Sequence, residues 1–289
     1  MRPRFGCVVL TRGNRPGDLA RAVESLLRQR DVDVDVLVVG NGWEPTGLPE
    51  GVRGHGLPTD VGIPAARNEG AERVEGDLLF FLDDDATLQR DDALARVAGM
   101  FAREPRLGIV QLRVEPREGE RRSRDWIPRL HVGDPGRTSD LTALWEGAVG
   151  MPRRLFDEVG GWPGDFRFVH EGVDLAWRVM DAGYRVRYAG DIVALHPPPP
   201  LHPTRHRYSN YFGARNRVWL ARRYLPWPLV PVFVATFALR TMPRMRTRAE
   251  LRDALRGYAD GIRTTPGPRR PLRASTLWRM VVAGRPPVI

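Results

Sequence analysis

The sequence predicts an α/β protein whose doubly wound sheet carries helices on both faces. Three short apolar runs support this fold class, and they cover residues 5–10, 34–39 and 78–82. Runs of this kind, with almost no polar residues, are typical of strands that are buried on both faces. Segments of helical periodicity separate them, and strands that alternate with helices indicate parallel pairing.

The composition is that of a folded enzyme. The chain has 289 residues, of which 42% are hydrophobic, so it is long enough to bury a sizeable core. The single cysteine, Cys7, has no partner for a disulfide, which is typical of a reducing compartment. No N-terminal segment has the apolar core of a signal peptide. We therefore expect a cytoplasmic protein.

The charge of the chain is strongly positive. The formal net charge is +10 and the pI is about 10.8. Every basic side chain apart from histidine is arginine, which stays charged and can bind phosphate in a bidentate manner. Diphosphate ligands, anionic membranes and nucleic acids are candidate partners. No helix-turn-helix, zinc-finger or RNA-binding sheet motif is present, so we expect no nucleic-acid partner.

The first strand, at residues 5–10, leads into a polar loop over residues 11–16. Asp18 is expected to cap the helix that follows, because aspartate is a favoured N-cap residue. The apolar positions of that helix are Leu19, Val23, Leu26 and Leu27.

The second strand, at residues 34–39, ends in a Gly-Asn-Gly turn at residues 40–42. A connection rich in proline and glycine precedes a helix over residues 65–74, and the strand at residues 78–82 comes next. This half lacks a G-x-G-x-x-G fingerprint and a P-loop, which excludes a standard dinucleotide site and an NTPase.

Three consecutive carboxylates, Asp83, Asp84 and Asp85, follow the third strand. Like charges this close repel one another unless a cation shares the site, and Mg²⁺ or Mn²⁺ binds one or two carboxylates together with substrate phosphates. Ligands of open α/β sheets also bind beyond the carboxyl ends of strands. The alternative is an acidic turn in which Thr87 or Asp91 caps a helix.

The C-terminal segment changes character at residue 225. Residues 225–239 are apolar but interrupted by prolines and too short for a membrane-spanning helix, which needs about 20 residues. Four arginines follow within ten residues, a pattern typical of a helix on an anionic membrane surface. The alternative is a helix that packs on the catalytic domain. Residues 264–289 are rich in proline and arginine and are expected to be mobile.

Four segments, taken in order, resemble the family 2 glycosyltransferases of GT-A fold. They are Val-Leu-Thr-Arg-Gly-Asn-Arg-Pro at 9–16, Val-Leu-Val-Val-Gly-Asn-Gly at 36–42, Gly-Ile-Pro-Ala-Ala-Arg-Asn-Glu-Gly at 62–70 and Phe-Leu-Asp-Asp-Asp at 81–85. The resemblance covers about residues 4–222. It implies a GT-A-type mixed sheet with helices on both faces and a helical C-terminal appendage.

The resemblance also implies a set of donor contacts. Thr11 and Asn41 would flank the base, Arg67 would face the diphosphate, and Asp83 and Asp85 would form the Asp-x-Asp pair that holds the metal. Many members have aspartate at the position of Gly40, so the base contact is expected to be weaker or to come from elsewhere. The complete set of expected nucleotide-sugar contacts is Thr11, Arg12, Asn41, Arg67, Asp83 and Asp84.

The second half resembles the acceptor side of the same family. Segments 145–148, 160–166 and 211–217 match its pattern, and the arginines of the last segment either reach the diphosphate or lie on a solvated helix face. Residues 170–178 resemble the Glu-Asp-x-Asp-Leu-x-x-Arg motif that opens a helix. Inverting transfer needs a carboxylate that takes the proton of the acceptor hydroxyl.

In relatives the base is usually the aspartate directly after the glutamate, and this chain has Gly172 there. We expect Glu171 to be the base, with Asp174 as the alternative. His196 follows a strand-like segment and is expected to complete the metal shell with Asp83 and Asp85. The proline-rich stretch around His202 and His206 is interpreted as a stiff loop over the site.

The sequence therefore predicts a metal-dependent inverting glycosyltransferase that uses a UDP- or dTDP-sugar and a glycan, lipid-linked or small-molecule acceptor. Expected roles are in polysaccharide, glycolipid or natural-product glycosylation, in the cytoplasm or on the inner face of the cell membrane. The alternatives are a nucleotidyltransferase and a catalytically silent relative that binds membrane or polysaccharide. Expected domains are a catalytic domain at 1–222, with halves at about 1–115 and 116–222, and a basic helical tail at 223–289.

Overall fold

The strands of the chain form a single mixed sheet. The computed structural model describes residues 2–117, 134–197, 203–283 and 286, without the side chains of residues 203–207. The strands are β1 (Arg4–Thr11), β2 (Asp33–Asn41), β3 (Val52–Leu57), β4 (Leu78–Asp83), β5 (Thr87–Leu88), β6 (Leu107–Glu115), β7 (Ser139–Asp140), β8 (Ala148–Pro152) and β9 (Arg185–Leu195).

The sheet has the order β3-β2-β1-β4-β8-β6-β9-β5, and β7 pairs with β9 beside this path. Strands β3, β2, β1 and β4 are parallel to one another, as the alternation of strands and helices predicts. Strand β8 runs antiparallel to both β4 and β6, and β6 pairs in parallel with β9. The sheet is therefore mixed.

Helices cover both faces of this sheet. They are α1 (Pro16–Leu27), α2 (Ile63–Arg73), α3 (Ala93–Arg103), α4 (Arg153–Val159), α5 (Glu171–Asp181), α6 (Pro203–Tyr224), α7 (Leu229–Thr241), α8 (Arg248–Arg263) and α9 (Ala274–Val282).

Alternate residues of each central strand enter two separate hydrophobic clusters. In β1, Val8 belongs to one cluster, whereas Cys7 and Val9 belong to the other. Successive side chains of a strand point to opposite faces, so a strand that is apolar throughout must be covered on both sides. The predicted α/β class, with a mixed sheet and helices on both faces, is confirmed.

Two local expectations about the first half are wrong. Helix α1 begins at Pro16, and Asp18 lies in its first turn instead of capping it, because proline is suited to the first helical position. Strand β3 was not predicted, since residues 52–57 contain two glycines and no apolar alternation. This strand pairs with β2 and contributes Leu57 to the core.

The capping roles that the acidic-turn alternative gives to Thr87 and Asp91 are wrong. Thr87 lies in β5, and helix α3 follows Asp92, whose side chain makes no capping hydrogen bond. The short strand β5 pairs with the end of β9, so that Thr87 lies opposite Leu195. This pairing brings the acidic loop next to the residue that follows β9.

The C-terminal helices pack on the face of the sheet that carries α5. The cluster that contains Trp177 of α5 also buries Phe233 of α7, Met280 of α9 and Leu272, which precedes α9. Helix α9 lies within the segment from residue 264 that was expected to be mobile, and its Thr276 donates a 2.7 Å hydrogen bond to Asp181. Within the described parts of the chain, no helix combines the length and apolarity that a membrane crossing requires.

Candidate active site

Polar side chains converge at the carboxyl edge of the central parallel strands. Thr11 pairs with Gly40 in the register of β1 and β2, and Leu10 pairs with Asp83 in the register of β1 and β4. Three neighbouring strands therefore end at the same level, and their last residues face a common space. This is the edge at which open α/β sheets bind ligands.

Asp83, Asp85 and His196 form a group that could hold a metal ion. Each offers one ligand atom, and the three atoms lie within 4.8 Å of one another. His196 Nε2 lies 2.9 Å from Asp85 Oδ1. The pairing of β5 with β9 creates this proximity between residues that are more than 100 positions apart in the sequence.

The chemistry of these donors fits Mn²⁺. Carboxylate oxygens suit hard divalent ions, and an imidazole nitrogen shifts the preference toward transition metals. Burial alone would raise the pKa of Asp85, but the hydrogen bond to His196 and the charges of His196 and Arg15 outweigh it and lower that pKa. Burial likewise opposes protonation of His196, yet Asp85 and Asp83 raise its pKa overall. The two carboxylates of the group are thus paired with Arg15, Arg67 and His196.

Asp84 lies apart from this group, although it is its neighbour in sequence. Thr11 Oγ1 donates a 2.6 Å hydrogen bond to Asp84 Oδ2. Burial raises the pKa of Asp84 to about 6; the hydrogen bond from Thr11 opposes the rise and the charge of Asp85 adds to it. Asp84 therefore joins the end of β4 to the end of β1.

Arg67 is buried behind the acidic residues. It is 4% exposed, and its Nη2 donates a 2.8 Å hydrogen bond to Asp83 Oδ1. Its guanidinium lies over the ring of Trp162, at 5.1 Å from the centroid. The other terminal nitrogen, Nη1, is buried and has no hydrogen-bond partner among the described residues. A buried donor of this kind is suited to a ligand oxygen.

Asn41 and Arg12 both bind Asp60, a residue that the sequence analysis missed. Asn41 Nδ2 donates a 2.9 Å hydrogen bond to Asp60 Oδ1, and Arg12 forms an ion pair with the same carboxylate. Asp60 also accepts a hydrogen bond from the backbone of Gly62 at 2.9 Å. A lone aspartate in a Pro/Gly-rich connection carries no sequence signal. Only its position directly before the 62–70 segment could have pointed to it.

Gly40, which replaces an aspartate that many relatives have, is required by the fold. A Cβ built at this position would overlap the carbonyl oxygen of Trp43. The chain turns back over the end of β2 and occupies the space that a side chain would need. Trp43 in turn packs against Gly13, which has a positive φ of 74°.

A strained turn precedes helix α5. Arg167, Val169 and His170 all have positive φ angles between 60° and 71°, although none of them is glycine. The side-chain nitrogen Nδ2 of Asn216, on α6, lies 2.8–3.0 Å from the carbonyl oxygens of Phe166, Phe168 and Val169. Strain of this kind persists only where surrounding contacts enforce it, and it often occurs at functional sites. The turn positions Glu171 as the first residue of α5.

The segment at residues 211–217 stabilises this turn, and its arginines contact other parts of the fold. Arg215 donates hydrogen bonds of 3.0 Å to the carbonyl oxygens of Asp165 and Phe166. The guanidinium of Arg217 stacks over Phe233 at 3.3 Å from the ring centroid. Both arginines thus connect α6 to its neighbours inside the fold. His202 and the side chain of His206 lie outside the described residues.

Glu171 lies inside the site. It is 4% exposed, and its Oε2 is buried without a hydrogen-bond partner in the described part of the chain. Burial raises the pKa of Glu171; the charge of Arg67 offsets part of this rise and the charge of Asp83 adds to it. An ionisable group perturbed in this way within a polar cluster is a candidate for acid–base chemistry.

Glu146 lies beside Glu171 and was not singled out from the sequence. Its Oε1 accepts a 2.7 Å hydrogen bond from the backbone N–H of Gly172, the second residue of α5. Burial and then the charge of Glu171 raise the pKa of Glu146 to about 8, against the opposing charge of Arg67. The Trp-Glu-Gly-Ala segment was recognised as a motif, but nothing in the sequence indicated which residue the glutamate would contact.

Asp174 has a different environment. It is fully buried and lies 2.6 Å from Arg178, 3.1 Å from Arg223 and 2.7 Å from the hydroxyl of Tyr224. These contacts connect α5 to the end of α6. With its carboxylate oxygens engaged by these partners, Asp174 has the surroundings of a structural ion pair.

Asp174→Asn is expected to lower the free energy of unfolding by about 3 kcal/mol, because it removes the buried counter-charge that two largely enclosed arginines share. Urea denaturation followed by circular dichroism measures this change. The same variant, once folded, should retain metal-dependent donor binding. A variant with unchanged stability would contradict the structural role.

Comparisons with known proteins identify a family and similar folds. The model of the family described as Glycosyl transferase family 2 matches residues 7–160. No curated protein matches the chain significantly.

Similar folds occur among solved structures. The mannosyltransferase PcManGT from Pyrobaculum calidifontis, in complex with GDP-Man and Mn²⁺, is 17% identical with a TM-score of 0.56, over 98% of this chain and 74% of that one. S. aureus TarS 1-349, in complex with UDP-GlcNAc, is 12% identical with a TM-score of 0.60, over 90% and 81% of the two chains. GalNAc-T7 with UDP, GalNAc and Mn²⁺ is 13% identical with a TM-score of 0.63, over 91% of this chain but only 56% of that one. At these identities the likeness concerns the fold.

Proposed function

Because the chain belongs to glycosyl transferase family 2, we propose that it moves a sugar from a nucleoside diphosphate donor to an acceptor hydroxyl with inversion at the anomeric carbon. The observation that carries this proposal is the grouping of Asp83, Asp85 and His196 at the carboxyl edge of the sheet, with Arg67 and Glu171 beside it. One end of this site can bind a diphosphate, and the other can take a proton.

The donor end of the site is assigned to Asp83, Asp85, His196 and Arg67. The first three would hold Mn²⁺ or Mg²⁺, with Mn²⁺ favoured by the imidazole donor. When bound, such an ion supplies positive charge against the charge that develops on the leaving diphosphate. The buried Nη1 of Arg67 is a donor for a phosphate oxygen.

The nucleoside is assigned to the ends of β1 and β2, where Thr11, Arg12 and Asn41 lie. The similar structures carry GDP-Man, UDP and UDP-GlcNAc, so a nucleoside diphosphate sugar is the ligand class that this likeness supports. A UDP- or dTDP-sugar is our proposal from the sequence.

The base is assigned to Glu171 and not to Asp174. The acceptor oxygen attacks the anomeric carbon while its proton passes to the Glu171 carboxylate. The bond between the anomeric carbon and the diphosphate oxygen breaks, and its electron pair leaves with the diphosphate. Asp174 is less suited to this step, because two arginines and Tyr224 already engage its carboxylate oxygens.

A test of the proposed function compares donors in the presence and absence of Mn²⁺. We expect one nucleotide sugar to bind in calorimetry only with the metal, and to be hydrolysed slowly to nucleoside diphosphate and free sugar when no acceptor is added. Release of pyrophosphate from a nucleoside triphosphate and a sugar phosphate would instead support a nucleotidyltransferase. Absence of binding to every donor would support the catalytically silent relative.

We also propose that α7 contacts an anionic membrane surface. One side of this helix is buried through Phe233, whereas Val232 is 45% and Leu239 is 75% exposed. These two residues are seven positions apart, so they lie on one side of the helix. Exposed Arg240, Arg244, Arg246 and Arg248 follow directly. An apolar stripe next to arginines suits the interface of a bilayer with anionic lipids.

Val232→Ser together with Leu239→Ser is expected to weaken sedimentation with phosphatidylserine-containing vesicles and to leave the thermal stability unchanged, since both side chains are exposed. Each arginine near such a surface contributes about 1 kcal/mol, which salt screens, so binding of the intact chain should also weaken as salt rises. Leu27→Ser, at a residue that is 40% exposed on α1, is the control. An intact chain that never sediments with vesicles would contradict the membrane proposal.

A further inference from the structure

Glu146 has a position in the site that none of the expected roles accounts for. It precedes Gly147, whose carbonyl oxygen accepts a 2.9 Å hydrogen bond from the backbone of Asp83. The ring of its other neighbour, Trp145, packs edge-on against His196 at a centroid distance of 5.1 Å. Glu146 therefore lies between the proposed metal group and the start of α5.

The start of α5 is shaped to receive this carboxyl group. A Cβ at Gly172 would overlap Glu146 Oε1 and would lie 2.7 Å from the carbonyl oxygen of Leu144. The missing side chain leaves room for Glu146 to reach the backbone N–H of Gly172, at 2.7 Å.

Two buried polar atoms beside this contact still need partners. Glu171 Oε2 and Arg67 Nη1 are both enclosed and lack hydrogen-bond partners within the described residues. Their side chains are each only 4% exposed. Unsatisfied polar atoms are rare in buried positions, and two of them at one place indicate a site that is completed by a ligand or a shared proton.

We propose that Glu146 is a positioning residue for the base, and that it keeps one proton beside Glu171 so that the two carboxyl groups together carry a single negative charge. This inference rests on the proposed function. Before transfer the pair holds one proton, on Glu146. The acceptor O–H bond then breaks, its proton passes to Glu171, and the pair holds two protons when the diphosphate has left.

The charged groups that face the pair support a single negative charge. Arg67 from α2 is the cation that acts on both glutamates, and it also pairs with Asp83 from β4. Two ionised glutamates and Asp83 would place three negative charges around one guanidinium. Burial and the charge of Glu171 raise the pKa of Glu146 to about 8, and burial raises the pKa of Glu171 as well, so the pair holds a proton at neutral pH.

Glutamine is the test, because it reproduces the shape and hydrogen bonding of a protonated glutamate and cannot ionise. We expect Glu146→Gln to transfer sugar at pH 7 within about threefold of the unsubstituted enzyme. The unsubstituted enzyme should lose kcat/KM at alkaline pH as Glu146 ionises next to Glu171, and Glu146→Gln should lack this alkaline limb. Glu146→Ala should lose about tenfold at pH 7, because it removes the hydrogen bond to Gly172. Glu158→Gln, at an exposed glutamate of α4, is the control.

Two results would overturn the inference. A loss of 100-fold or more in Glu146→Gln at pH 7 would mean that Glu146 must be ionised, and an alkaline limb that persists in this variant would mean that its role is only structural. Mn²⁺-dependent binding of the donor to each variant is measured in parallel by calorimetry. If the unsubstituted chain binds no donor, the proposed function fails; if it transfers sugar and only these profiles disagree, the inference about Glu146 fails alone.

Discussion

Glu171→Gln is expected to lower the rate of sugar transfer by about 10²–10⁴-fold, the usual contribution of a general base. The substitution keeps the size of the side chain and its hydrogen-bonding capacity, and it removes the carboxylate that takes the acceptor's proton. Donor affinity should stay nearly unchanged, because Glu171 is assigned to the acceptor. Steady-state kinetics of transfer, together with calorimetry of donor binding, measure the two quantities separately.

Comparing the activity of Glu171→Gln with that of Asp174→Asn tests which of the two carboxylates is the base. If Glu171→Gln transferred sugar normally while a folded Asp174→Asn were inactive, the roles of the two residues would be reversed. The structure predicts the opposite, since Asp174 is fully buried among Arg178, Arg223 and Tyr224. Asp174→Asn should therefore change stability much more than the rate of transfer by the folded enzyme.

Asp85→Ala is expected to abolish metal-dependent donor binding while the protein stays folded. The side chain is a ligand at the end of a strand and fills no part of either hydrophobic cluster, so its removal should leave no apolar cavity. It would also release Arg15 and His196, which both pair with Asp85. Calorimetric titration of Mn²⁺ and donor measures the loss, with Asp157→Ala at an exposed residue of α4 as the control. Unchanged metal dependence would refute the assignment of Asp85.

His196→Ala should weaken metal affinity less than Asp85→Ala, because water can replace one neutral ligand. The imidazole also packs against Trp145, so a structural role is the competing account. Thermal denaturation distinguishes the two. A variant that unfolds would favour the structural histidine, and a stable variant with reduced Mn²⁺ affinity would favour the ligand.

Much of the fold could be predicted because its signals are local. Residues 5–10, 34–39 and 78–82 form apolar runs, and each lies within a strand of the observed sheet. Burial on both faces demands such runs wherever they occur, so the sequence carries the information without any contact partner. Strand β3 and helix α9 were missed for the converse reason. Strand β3 pairs with β2 and has no apolar alternation of its own. Helix α9 lies in a segment whose many prolines and arginines led to the expectation of a mobile tail.

The same distinction between local signals and distant contacts applies to the residues of the site. The sequence predicted a metal group of Asp83, Asp85 and His196, because each of these residues lies in a recognisable motif. In the structure, the atoms that could bind the metal lie within 4.8 Å of one another. Asp60 and Glu146 were missed because each acts through a partner far along the chain. Asp60 binds Asn41, 19 residues away, and Glu146 binds Gly172, 26 residues away. No local pattern encodes contacts of this kind.

By itself, the sequence determined the α/β class, the family and the order of the acidic and basic segments, because these depend on periodicity and short motifs. Only the tertiary structure showed what surrounds the two glycines that stand where many relatives have aspartate. From the sequence, Gly40 indicated a weaker contact with the base of the nucleotide, and Gly172 moved the expected catalytic base to Glu171. In the folded chain, the carbonyl of Trp43 occupies the space beside Gly40, and the carboxyl of Glu146 occupies the space beside Gly172. A residue without a side chain leaves volume, and only the three-dimensional path of the chain decides which group fills it.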